Sequence, residues 1–332
     1  MNATLGGKRL GLFVAFLVLA ACTTPAARAD NPFLGSWALT IPGGGAGWLS
    51  VEDHNGQLSG SILWGGGSVL PVDGMKLDGD KLVVTRRYGS GEKDRVVETI
   101  TATVAGDDLK LDTVKTNPDG KQFAQASFTG KRTPPLPPAP DMSKVRFGEP
   151  IVLFNGKDLD GWKLTSPHDI NGWSVKDGLL VNEVVQEPGK PHKNFGNLRT
   201  VREFEDFNIT LEVNVPKDGN SGVFLRGIYE TQVLDSYGLP VDKHNMGAIY
   251  SRITPSEAVE KPAGQWQTMD ITLVDRHVTV ILNGKKIIDN QPVLGCTGGA
   301  LWSDQLRPGP IYLQGDHSSV TYRNIVLRPV VK

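Results

Sequence analysis

The sequence is short of cysteine, of clustered charge and of long apolar runs. Its only cysteines are Cys22 and Cys296, and Cys22 falls in an N-terminal stretch that reads as a processing signal. Cys296 is then left without a partner, so no disulfide framework holds the fold. It reads as a small buried apolar residue rather than a reactive thiol. Lysine plus arginine number 35 against 36 aspartate plus glutamate, for a net charge of −1, and no block of like charge occurs. Such a surface carries no electrostatic footprint for nucleic acid or another polyanion. The longest apolar run, from Leu10 to Ala21, falls short of the roughly 20 residues a spanning helix needs. There is no His-x-x-x-His or Cys-x-x-Cys spacing, which argues against a preformed zinc site. Without a Gly-x-Ser-x-Gly elbow, an ordinary esterase is disfavoured. Gly43–Gly47 and Gly65–Gly67 lead into neither a helix nor a lysine, so they are turns rather than phosphate cradles. No long stretch repeats every 3.6 residues, which leaves no candidate for a helical core.

What is present begins with Lys8 and Arg9, then the apolar run, then Leu19-Ala20-Ala21-Cys22. A basic start, a short apolar stretch and small residues before a cut describe a secretory signal over residues 1–22. Leu-Ala-Ala-Cys is similar to the bacterial lipobox, which implies lipidation at Cys22. The expectation is an exported lipoprotein on the periplasmic side, touching the membrane only through its lipid anchor. Ala27-Arg28-Ala29 offers a competing cut by ordinary signal peptidase.

The remaining length suits two domains. Thr133-Pro134-Pro135-Leu136-Pro137-Pro138-Ala139-Pro140 cannot donate backbone hydrogen bonds at most positions, so 133–146 reads as an extended, semi-rigid linker. Residues 31–132 alternate in short segments punctuated by Asn55-Gly56, Asp73-Gly74, Asp78-Gly79, Gly106-Asp107 and Asp119-Gly120, pairs that accept tight hairpins. Roughly eight strands in that pattern predict a small antiparallel β-barrel or meander. Its opening Gly35-Ser36-Trp37 is similar to the Gly-x-Trp start of lipocalin-like barrels, and its expected role is that of a spacer or docking domain without chemistry. Residues 147–332 also read as strands, ten or so, fitting a two-sheet sandwich with one concave sheet open to ligand. The whole chain is therefore expected to be all-β.

The second region resembles the family of 3-keto-disaccharide hydrolases and 3-keto-glucoside-1,2-lyases. The matching stretches run in order from Leu153-Phe154-Asn155-Gly156 with Gly161-Trp162, through Trp173-Ser174-Val175-Lys176-Asp177-Gly178 and Glu203-Phe204-Glu205-Asp206-Phe207. They continue through Asn220-Ser221-Gly222-Val223-Phe224-Leu225-Arg226-Gly227, Tyr229-Glu230-Thr231-Gln232-Val233-Leu234-Asp235 and Gly247-Ala248-Ile249-Tyr250, to Leu313-Gln314-Gly315-Asp316-His317 and Tyr322-Arg323-Asn324-Ile325. One departure is visible, since the family reads Leu-Gln-Asp-His-Gly where this chain inserts Gly315 and carries Ser318. The resemblance implies a concanavalin A-like jelly roll that cleaves glycosides already oxidised to a ketone at C3. It also implies a carbohydrate substrate, and leaves open whether a separate upstream sugar 3-oxidoreductase makes the ketone.

A C3 ketone acidifies the C2 proton, so a base can remove it and the C1 oxygen can leave by β-elimination. Hydration of the resulting double bond completes cleavage. The route needs a base, a group that holds the developing enolate and an acid for the leaving oxygen. Strand alternation sets Phe224 and Arg226 on the face opposite Val223 and Leu225, and Glu230 and Gln232 opposite Tyr229, Thr231 and Val233. Glu230, His317 and Asp235 are the expected catalytic groups, Asp235 only if a bulge or strand end re-aims it. Arg226, Gln232, Tyr250, Gln314 and Phe224 are the expected substrate contacts. Spacing alone leaves open a divalent metal on Glu230, Asp235 or His317. Two other functions compete: a non-catalytic carbohydrate-binding module and a conventional jelly-roll glycosidase. In the second, Glu230 and Asp235 would have to replace the paired carboxylates of a retaining site, with Gln232 standing where a central acid is expected.

Overall fold

Strands account for every regular element among the described residues. The computed structural model describes residues 31–41, 45–89 and 95–331, with Met1. The expected signal segment, Cys22 and the alternative cut at Ala27–Ala29 lie outside the described residues. Contacts separate Met1–Pro32 from one unit spanning Phe33–Lys332, and all that follows concerns that unit.

The first ten strands are β1 (Gly35–Thr40), β2 (Ala46–His54), β3 (Gln57–Ser59), β4 (Ser61–Trp64), β5 (Leu70–Pro71), β6 (Gly74–Asp78), β7 (Lys81–Tyr88), β8 (Val96–Ala105), β9 (Asp108–Thr116) and β10 (Gln122–Thr133). They form one antiparallel sheet in the order β5-β4-β2-β1-β10-β9-β8-β7-β6, with β3 on β2. Asn55 and Gly56 close the β2–β3 hairpin with φ of 57° and 95°, the left-handed pair that a two-residue turn demands. The sheet curls until β3 packs beside β6, and alternate residues such as Trp37, Leu39, Leu49, Val51, Ile100 and Ala102 fill its interior. Glu98 shares that inward face of β8.

The rest is a sandwich. One sheet holds β14 (Trp173–Lys176), β15 (Leu179–Asn182), β17 (Phe207–Asn214), β20 (Trp266–Val274), β21 (His277–Leu282), β22 (Lys285–Pro292) and β24 (Val320–Val331), edged by β11 (Arg146–Phe147) and β12 (Ile151–Val152). The other runs β13 (Trp162–Leu164), β16 (Leu198–Thr200), β23 (Tyr312–Leu313), β18 (Asn220–Leu225), β19 (Tyr229–Leu234). Strand β17 alternates as the period-2 pattern requires, burying Phe207, Ile209, Leu211 and Val213. These meet Val223, Leu225, Tyr229, Val233 and Leu313 of the five-stranded sheet in one core. The architecture is an all-β jelly-roll sandwich preceded by the curled sheet.

The two parts share that core. Every residue from Ala46 to Val51 is buried, because β2 turns Leu49 and Val51 inward and Trp48 outward onto the sandwich. Trp48, Leu63 and Val69 belong to the sandwich core cluster. Arg252 lies 4.2 Å over the Trp48 ring and donates to the Cys296 carbonyl. Gly295 has φ +89°, and a Cβ there would meet Trp48 at 2.5 Å, so glycine lets the indole seat. Cys296 is fully buried at this seam, and burial pushes its thiol up to about 11. The proline segment lies along the sandwich, where Arg276 donates to the carbonyls of Pro134 and Pro135 and Asn290 to that of Pro140.

Candidate active site

The outer face of the five-stranded sheet carries the polar residues. Register pairs Gly222 with Gln232 and Phe224 with Glu230, and Phe224 with Tyr312. Gln314 continues that register, donating its backbone N–H to the Gly222 carbonyl. Asn220, Gly222 and Phe224 of β18 therefore share one face with Glu230, Gln232 and Gln314. At its centre Gly222 has no side chain. A Cβ there would stand 2.3 Å from Glu230 Oε1, so the glycine is what lets the carboxyl lean across the sheet.

Around this point opens a cleft of about 310 Å³ lined by Asn220, Glu230, Gln232, Tyr250, Gln314 and His317, with Gly298, Gly299, Gly66 and Gly67. Glu230 is 4% exposed, and no hydrogen bond to its carboxyl is formed by a described group. Burial alone pushes it up to about 8, since desolvation disfavours the charged form. Three amide oxygens in the same wall, those of Asn220, Gln232 and Gln314, are buried without a partner. The Gln232 amide N–H donates to the His244 carbonyl. Buried polar groups are rarely left unpaired, so these acceptors and the carboxyl around one opening mark a place built to receive the hydroxyl groups of a ligand. Beneath the floor Phe224 stacks on Tyr312 at 3.9 Å, and the Tyr312 hydroxyl donates to the Gly299 carbonyl.

Of the expected residues, Glu230, Gln232, Tyr250, Gln314 and His317 come together here. Tyr250 is brought in by a segment that pairs with the edge of β19, its N–H donating to the Glu230 carbonyl. His317 stands exposed at the rim. Gly315, the inserted residue, fits where a Cβ would stand 2.2 Å from the Gly196 carbonyl oxygen. Its neighbour Asp316 turns away to accept from His192 and the Phe195 N–H.

Three expected residues stand elsewhere. Arg226 has φ +54° and opens the β18–β19 turn, so strand alternation stops at Leu225; its guanidinium donates to the carbonyls of Gln305 and Arg307. Asp235 lies past the end of β19, where no bulge re-aims it. Its carboxylate caps the Lys217–Asn220 turn by accepting from the Asp218 N–H at 3.0 Å. Phe224 supports the floor without lining the cleft. Since Asp235 is turned away, the trio considered for a metal does not converge, and among the described residues no three His, Cys, Asp or Glu side chains do. Sequence reasoning missed Asn220, although it lies in a quoted motif, and missed the glycines from outside the sandwich.

The profile of the 3-keto-alpha-glucoside-1,2-lyase-like domain family matches residues 149–328, more than half of the chain. The chain belongs to this family. Every side chain lining the cleft lies within the matched residues; Gly66 and Gly67 do not. A 3-keto-disaccharide hydrolase from Bacteroides thetaiotaomicron is 24% identical over 166 residues, covering 42% of this chain and 57% of that protein. The chain thus spans little more than half of that relative's length. Among solved structures, a Parabacteroides distasonis protein provisionally named a glycosyl hydrolase is similar at 23% identity and TM-score 0.43, over 55% of this chain and 94% of that one. A carbohydrate-binding module from Bacillus subtilis is similar at 13% identity and TM-score 0.34, over 50% and 93%.

Proposed function

We propose that the protein cleaves glycosides bearing a ketone at C3, by elimination followed by hydration. The observation that carries this is Glu230, a single buried carboxyl without a partner, set among free amide groups in the sheet of the family domain. In its ionised form Glu230 takes the C2 proton. The electron pair moves toward the C3 carbonyl, whose oxygen accepts from the side-chain amides of Asn220 and Gln314. The enolate then returns its electrons to form the C1–C2 double bond as the C1–oxygen bond breaks, and the leaving oxygen takes a proton from a water molecule that His317 orients at the rim. Water adds its hydroxyl to C1 and its proton to C2, so the net change is hydrolysis without oxidation or reduction. The names of the family and of the Bacteroides relative support this reading.

A conventional glycosidase is disfavoured by the same geometry. That chemistry needs two carboxyl groups flanking the bond, about 5–9.5 Å apart, and Asp235 is committed to a turn. A binding module gains nothing from a carboxyl raised to about 8, whereas acid–base chemistry does. Export and lipidation at Cys22 complete the proposal, and place its substrate and any sugar 3-oxidoreductase outside the cytoplasm.

The test is to mix the protein with a 3-keto-glucoside and with its unoxidised parent in D₂O, with and without added divalent metal. Cleavage of the keto-sugar alone, with deuterium at C2, is expected. Binding of both sugars with cleavage of neither, metal or not, would replace the proposal by the binding-module reading.

A further inference from the structure

The cleft is not made by the sandwich alone. Gly66 and Gly67, in the loop between β4 and β5, line it together with Glu230, and they lie outside the residues matched by the family profile. Several contacts fix the loop there. A Cβ on Gly298 would stand 2.1 Å from the Gly67 carbonyl oxygen, so the two glycine backbones are in direct contact. Ser68 Oγ is 2.9 Å from His244 Nε2, and His244 Nδ1 is 2.6 Å from Asp242. The His244 ring meets Tyr250, a cleft residue, edge-on at 5.0 Å. One residue further, the Val69 N–H donates to Ser251 Oγ at 2.8 Å.

From this we infer that the curled N-terminal sheet is a working part of the active site, its Gly65–Ser68 loop forming the wall that limits substrate length. The inference rests on the proposed function for its chemistry, though not for the wall itself. At about 310 Å³ the space is at the small end of ligand sites, which run from ~300 to ~1,000 Å³. It suits one keto-sugar ring with a small aglycone or one further ring, and the wall stops a longer chain from passing through. The enzyme should therefore act on short glycosides and chain ends, not on internal residues of a polysaccharide. Glycine at 66 keeps the wall thin. A Cβ there meets nothing within 4 Å, and no positive φ constrains the site.

Gly66→Trp in the full chain tests this, because it thickens the wall without touching the packed seam. Cleavage is measured with a methyl 3-keto-glucoside, a 3-keto-disaccharide and a 3-keto-trisaccharide. Binding of the same sugars is read by calorimetry in the Glu230→Gln background. In the wild type, kcat/KM for the trisaccharide should fall about tenfold below that for the disaccharide, and Gly66→Trp should weaken disaccharide binding by about tenfold. Ser68→Ala, which frees the strut to His244, should narrow the gap between disaccharide and trisaccharide. Should the wild type cleave the sugars while Gly66→Trp leaves all cleavage and binding within about twofold, the wall is refuted and the proposed chemistry stands. If the sugars bind without cleavage and Gly66→Trp still weakens binding, the wall stands and the chemistry fails. Absence of both binding and cleavage in the wild type overturns both.

Discussion

Among the described residues, each half of the molecule buries a glutamate to below 5% exposure, and the two are treated oppositely. Glu98, on the inward face of β8, is 1% exposed and faces Arg86 at 2.9 Å and Lys115 at 3.9 Å. Glu230, in the sandwich, is 4% exposed and, among the described residues, has no cation paired with it but lies beside the amides that line the cleft. Burying a charge is costly unless it is paired. Where the partner is supplied, the carboxylate serves the fold. Where it is withheld, the group keeps a raised proton affinity, and the cost makes sense only if a ligand or a reaction uses it.

Exchanging each carboxylate for its amide separates the two roles most clearly. Glu230→Gln should lower kcat/KM on a 3-keto-glycoside by about 10²–10⁴-fold, the usual weight of a general base, while the protein stays folded by circular dichroism. Glu98→Gln should do the reverse. It leaves the part-exposed Arg86 and Lys115 facing an amide and should cost about 1–2 kcal/mol in denaturant unfolding, with kcat/KM nearly unchanged. Equal losses of activity in both variants would erase the distinction.

Stability against pH sharpens it further. The Glu230 carboxyl sits at about 8 in the fold against an ordinary 4.5, so the native state holds the proton more tightly than the unfolded chain. Its contribution is fully present below pH 4.5 and is lost as pH rises through 8, by up to about 1.4 kcal/mol per pH unit. Thermal melts should therefore show Glu230→Gln gaining on the wild type between pH 5 and pH 9. Parallel curves over that range would mean that the carboxyl is not desolvated.

The smallest effect is expected at Asp235. Asp235→Asn keeps an acceptor for the Asp218 N–H and should shift stability by about 1 kcal/mol or less, with kcat/KM within a few-fold. A loss comparable to that of Glu230→Gln would restore a two-carboxylate mechanism.

Much of this site was legible in the sequence, because a strand has a period of two. Alternation in Tyr229–Leu234 was enough to set Glu230 and Gln232 on one face, and the Asn-Gly and Asp-Gly pairs marked hairpins of the curled sheet. Legibility stopped where the period stopped. Arg226 is in phase with Phe224 on paper, but its positive φ belongs to the turn, and the side chain leaves the sheet for the carbonyls of the 305–307 loop. Asp235 belongs to a turn cap for a similar reason. The Gly65–Gly67 run reads correctly as a turn, yet its place in the cleft depends on contacts such as Ser68 with His244, which are 176 positions apart. No local pattern encodes that meeting. The curled sheet, read from the sequence as a spacer or docking domain, brings Gly66 and Gly67 to the cleft.

As proposed, Glu230 takes the C2 proton because burial raises its proton affinity. The most direct measurement is kcat/KM for a 3-keto-glycoside from pH 6 to pH 9.5, in the wild type and in Glu230→Gln. The wild-type value should rise close to tenfold per pH unit and level off near 8, while the variant stays low and loses that limb. A wild-type profile that is flat, or that falls through the same range, would contradict the assignment of Glu230 as the group that takes the C2 proton.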